Sequence, residues 1–101
     1  VGSPRPSALA PDVPTISASG VQGYEAAAQA CIWAPAKTPR ALVNQLNREI
    51  VRILNQAEVK EKLLNAGLEP VAISPEQTAA YIKSDIARWG KLIKDADIRL
   101  D

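Results

Sequence analysis

Beyond residue 38, apolar side chains recur at helical spacing. Leu42, Val43, Leu46, Ile50, Ile53 and Leu54 step by three or four, while Arg40, Asn44, Gln45, Asn47, Arg48, Glu49 and Arg52 fill the other face. That pattern predicts an amphipathic helix with one side turned toward a core. Thr38 is placed to cap it, and Pro39 falls at the first helical position, where a missing N–H does no harm. A second helix follows almost at once. Asn55 can cap it, Glu58 completes a box-like pair, and Gly67 supplies a left-handed stop. The clearest start is Ser74-Pro75-Glu76-Gln77, which combines an N-cap, a proline at the first position and a capping-box glutamine. From there Ala79, Ile82, Ile86, Trp89 and Ile93 predict a helix to Asp95, roughly 30 Å long at 1.5 Å per residue.

Upstream the pattern changes. Six of the eight prolines lie in the first 39 residues (Pro4, Pro6, Pro11, Pro14, Pro35 and Pro39). Because proline fixes φ and cannot donate to a ladder, residues 1–14 read as an extended, turning arm. Asp12-Val13-Pro14-Thr15 looks like the start of a short helix that Gly20 stops. Residues 24–34 are open between a short helix and a buried strand. The strand is preferred because Pro35 pushes Ala34 toward extended geometry. Leu68 to Ile73 reads as a second short strand, with Pro70 placing it at a sheet edge or bulge. The expected fold class is therefore α/β, with two short strands and three main helices after a proline-rich arm.

Charge and composition narrow the chemistry. Twelve Lys+Arg against eleven Asp+Glu leave a net charge of +1, too little to draw the chain to nucleic acid or an anionic membrane. No apolar run approaches the roughly 20 residues that span a bilayer, so no direct membrane insertion is expected. There is no His, the commonest neutral-pH acid or base and the commonest metal ligand. A lone cysteine, Cys31, excludes an internal disulfide and a multi-thiolate metal site. It lies among Ala, Ile and Trp without a basic neighbour, the setting of a buried, unreactive thiol. The Asp and Glu residues with Lys or Arg at helical spacing read as solvated pairs. No catalytic residue, metal site or cofactor is expected, and the chain is not read as an enzyme. The absence of Met predicts a processed, trimmed or partial chain.

Two places invite a ligand. Ala36-Lys37-Thr38-Pro39-Arg40 feeds a helix N-terminus with two cations nearby, a setting receptive to a carboxylate, although a plain capped helix accounts for the same residues. Tyr24, beside Gly23, is the aromatic residue best placed to face a ligand or partner. Trp89 reads as core, and Trp33 as core, hinge or pocket wall.

Taken in order, several short motifs resemble one family. They are Pro11 to Thr15, Gly20 to Glu25, Ala34-Pro35-Ala36 with Thr38-Pro39, Leu46-Asn47, Gly67 with Glu69-Pro70-Val71, Ser74 to Gln77, and Trp89 to Asp101. The chain is similar to the C-terminal portion of the substrate-binding receptors of tripartite tricarboxylate transporters, the Bug family. The resemblance implies a piece of a class II periplasmic-binding-protein fold, whose two lobes close on a small carboxylate. Residues 1–24 would end the second lobe, 25–34 would be the crossover strand, and 35–101 would complete the first lobe. It implies a periplasmic receptor whose partners are a small carboxylate ligand and the transporter's membrane subunits. The candidate ligand-binding residues are Tyr24, Gln29, Cys31 and Thr38. Gln29 to Ile32 stands where the family carries a bulky aromatic pair followed by Gly and Leu, and Asp97 replaces a usual Gly. Taken alone, this piece would bind little ligand. The alternative is a truncated interaction module that folds as a homodimer or larger homo-oligomer.

Overall fold

A computed structural model describes residues 1–100, so the last residue of the expected 35–101 lobe, Asp101, lies outside the described residues. The element order is α1 (Arg40–Leu54), α2 (Ala57–Asn65) and α3 (Pro75–Asp95). The third helix is built as its sequence dictates. Ser74 Oγ accepts from the Gln77 N–H at 3.1 Å, and Gln77 Oε1 accepts from the Ser74 N–H at 2.9 Å. This reciprocal pair satisfies two end groups that a helix otherwise leaves open.

The other two starts differ from expectation. Pro39, not Thr38, occupies the cap position of α1, with no side-chain cap bond. Its carbonyl accepts from Leu42 and Val43 at 3.0 and 3.1 Å. Gln56, not Asn55, precedes α2, again without a side-chain bond, because Asn55 is taken up as the C-cap of α1. Gln56 alone is extended between the two helices, and that single residue turns the chain. The segment after Pro14 forms turns rather than a helix. There Thr15 accepts the Ala18 N–H on Oγ1 and the Ser19 N–H on its carbonyl, which uses up the backbone groups locally.

The fold class departs further. The described residues contain three helices and no strand, so the α/β expectation with two short strands is overturned. Both segments are irregular, and neither finds a ladder. From Ala27 to Ala34 no backbone N–H is bonded to another backbone group among the described residues. Leu68 bonds only to the end of α2, at Leu63, and Ile73 is held by a side chain, Asn47 Nδ2 at 2.9 Å. Sequence can favour extended backbone through Pro35 and Pro70, but a strand exists only where a second strand answers it. The arm comes nearest: Gly2 accepts from Ala26 at 2.8 Å and Val1 from Ile16 at 2.9 Å, single bonds that do not repeat.

No hydrophobic side chain among the described residues is buried; Thr15 is the one buried residue. Trp89, expected in the core, is 38% exposed. The accessible surface is 8231 Å², against about 5,500 Å² for a compact monomer of this mass. The radius of gyration is 16.4 Å, where about 13 Å is usual for 100 compact residues. The three helices and the arm therefore frame open clefts rather than close on a core.

Candidate functional site

Two clefts lie between these elements. The larger, about 960 Å³, is bounded by the arm, residues 25–32, the inner side of α1 and residues 67–73. The smaller, about 480 Å³, lies where the first turns of α1 and α3 approach residues 32–36. Ile32, Asn47 and Thr78 line both, so the two are neighbours.

The four candidate residues do not converge. Gln29 and Cys31 line the larger cleft, and Thr38 lines the smaller one. Tyr24 lines neither; its N–H donates to the Val21 carbonyl at 3.1 Å, and its ring lies beside Gly2. Cys31 is half-buried rather than buried. Trp33 stands 67% exposed at the edge of the smaller cleft. The Arg40 cation is already engaged by Glu76, which ties the first turn of α1 to that of α3. That pairing leaves the 36–40 loop less available to an anion than its sequence suggests.

The most organised polar group was not legible in the sequence. Arg88 reaches Glu25 at 3.0 Å with Nη1 and pairs with Asp85 through Nη2. Its guanidinium also lies 5.8 Å from the Trp89 ring centroid, within range of a cation–π attraction. Nearby, Gln29 Nε2 donates to the Tyr81 hydroxyl at 3.1 Å. Desolvation opposes the Arg88 charge, but Glu25, Asp85 and Tyr81 outweigh it and hold the group above its ordinary pKa. Helical spacing places Asp85 and Arg88 side by side. It carries no sign of Glu25, 63 residues away along the chain. Asn47, the tether of Ile73, was likewise placed only on a polar face.

Both acids that line the larger cleft are engaged. Glu25 belongs to Arg88, and Glu69 accepts from Ser7. Arg5 also faces this cleft, and no ion pair is formed by it among the described residues. Among the described residues no group of three or more His, Cys, Asp or Glu side chains gathers to hold a metal. Among the described residues no helix is long and apolar enough to cross a membrane.

A frame of helices around apolar clefts with a few polar side chains is the setting of a small-molecule binding protein. The comparisons define the class more closely. The model of the family described as "Tripartite tricarboxylate transporter family receptor" matches residues 1–98, and the chain belongs to that family. Among curated proteins, it is 39% identical over 84 residues to the UPF0065 protein in the tcbD-tcbE intergenic region of Pseudomonas sp. strain P51, covering 82% of this chain and 25% of that protein. It is 30% identical over 90 residues to Protein BugT of Bordetella pertussis, covering 89% of this chain and 28% of BugT. A third relative is the UPF0065 protein in the TAR-I ttuE-ttuC' intergenic region of Agrobacterium vitis, 32% identical over 89 residues, covering 85% of this chain and 26% of that protein. The chain thus spans about a quarter of the length of the curated relatives it matches. No solved structure matches it. The family is one of solute-binding receptors in transport, not of enzymes.

Proposed function

We propose that this chain contributes to a periplasmic receptor that takes a small carboxylate and delivers it to the membrane subunits of a tripartite transporter. The family match over residues 1–98 carries the reading. The larger cleft supports it, since its size lies within the usual range for small-molecule sites. Gln29 and Cys31 are the candidate contacts there, joined by Arg5, which offers a cation to a carboxylate. Thr38 would contribute from the neighbouring cleft and Tyr24 from the periphery. In this reading residues 1–24 end one lobe, 25–34 cross over, and 35–101 belong to the other.

Calorimetric titration with mono-, di- and tricarboxylates, citrate among them, tests the proposal on the natural gene product carrying this sequence. Micromolar binding of at least one carboxylate is expected, weakened about tenfold by Arg5→Ala, the scale of a lost charge-assisted contact. Titration of the 101-residue chain alone should give nothing tighter than millimolar, because open clefts cannot desolvate and enclose a ligand. A gene product that binds no carboxylate overturns the reading. The rival idea of a self-pairing module draws on the exposed apolar faces alone; no observation seats a second copy on them.

A further inference from the structure

Residues 25–34 divide into a fastened half and a free half. Glu25 and Ala26 are half-buried, whereas Ile32 and Trp33 are 78% and 67% exposed. Two side-chain links reach α3 from the fastened half. Glu25 meets Arg88, and Gln29 donates to Tyr81, two turns earlier on the helix. Tyr81, Asp85 and Arg88 are spaced by four and three, so one face of α3 presents all of them. Asp85 pairs with the second guanidinium nitrogen, which fixes the plane in which Arg88 meets Glu25. Arg88 Nε is shielded from solvent without a hydrogen-bond partner, a cost that the other contacts of the guanidinium must offset. A side chain ordered only by solvated pairing would turn that nitrogen outward. On the opposite flank, Gly2 accepts the Ala26 N–H, and a Cβ at Gly2 would fall 2.5 Å from the Ala26 carbonyl oxygen.

Resting on the receptor reading, we infer that Arg88 is a positioning residue. It fastens residues 25–29 onto α3 and so sets one wall of the larger cleft, without itself touching the ligand. Glu25, Gln29 and Tyr81 line that cleft, and Arg88 stands behind them. Backbone bonding holds this segment only at Ala26, through Gly2; among the described residues no N–H from 27 to 34 has a backbone acceptor. Beyond Ala26 the wall is therefore only as fixed as its side-chain links to the helix.

The test uses amide hydrogen exchange and citrate titration on the natural gene product, with Arg88→Ala, Arg88→Lys, Glu25→Gln and the double variant Glu25→Gln/Arg88→Ala. Both Arg88→Ala and Glu25→Gln should speed exchange of the Ala26 amide, the one N–H of residues 25–30 held by a backbone acceptor, about three- to tenfold, the scale of a partly exposed charged contact. Arg88→Lys should restore part of the protection. The double variant should exchange no faster than Arg88→Ala, since both changes break one link. Citrate affinity should fall in step while the melting temperature moves by only a few degrees. Unchanged exchange in both single variants, or single effects that simply multiply in the double variant, would overturn the positioning role. If the unaltered protein binds no citrate or other carboxylate yet exchange responds as stated, Arg88 still positions the segment and only the receptor reading fails.

Discussion

Two helices end in the same geometry with different residues. At the end of α2, Gly67 has φ +80°, and the Leu68 N–H reaches back to Leu63 at 2.8 Å. At the end of α3, Asp97 has φ +50°, and the Ile98 N–H reaches Ile93 at 3.0 Å. Both are left-handed stops of the kind glycine accepts freely, and a Cβ makes the second one strained. Asp97→Gly should therefore stabilise the end of α3 by about 0.5 kcal/mol, and Gly67→Ala should cost about 1 kcal/mol, read from denaturation midpoints. The Asp97–Arg99 pair lost in the first variant is exposed and contributes little. Glu76 carries a pH dependence. Its own backbone N–H holds the carboxyl below the ordinary value; partial burial opposes this, and Arg40 adds to it. A lowered folded-state pKa stabilises above the unfolded value and loses that effect as pH falls through the folded one. Circular dichroism should show the first turn of α3 loosening below about pH 4, and Glu76→Gln should flatten that dependence. Gly67 was legible because glycine at a helix end has one main use. The Glu25–Arg88 link was not, because nothing local distinguishes an arginine that finds a distant partner.

At the scale of elements, α3 shows both the reach and the limit of pattern. Its bounds, Ser74 cap and Asp95 end follow from the sequence because each rests on contacts within four residues. Ser74→Ala should cost about 1 kcal/mol, visible as lower helicity in a peptide spanning residues 72–98. The face it uses was not predicted. Thr78, Tyr81, Ile82, Asp85 and Arg88 are half-buried, while Ile86, Leu92 and Ile93 are exposed. The helix thus meets α1 and residues 25–29 with a partly polar edge, rotated from its apolar stripe. In α1 the agreement is closer, since Val43, Ile50 and Leu54 of its stripe are half-buried beside Asn47. The short strands failed for a different reason: strand formation is a property of pairs, and no partner stands beside either segment.

At the scale of the whole molecule, the decisive feature is the missing interior. With no hydrophobic side chain buried among the described residues, the term that normally offsets conformational entropy is lacking. The 101-residue chain by itself should show helical circular dichroism but a broad, weakly cooperative thermal transition. It should also bind a dye specific for exposed apolar surface. Calorimetry showing a sharp transition with the enthalpy of a 100-residue domain, about 60–80 kcal/mol, would contradict this. The family the chain belongs to is one of receptors rather than enzymes, and the ordered motifs, not the composition, pointed to it.

What the sequence determined by itself was local or collective. The bounds of α3, its capping box and the left-handed stop at Gly67 depend on neighbours in the chain. Family membership depends on many weak motifs in a fixed order. Only the tertiary structure decided that residues 27–34 and 68–73 meet no strand partner among the described residues, that Gln29 and Cys31 share a cleft apart from Tyr24, and that Arg88 reaches across to Glu25. Those facts depend on which distant groups meet, and a one-dimensional pattern carries no record of such meetings when the chain closes around no core.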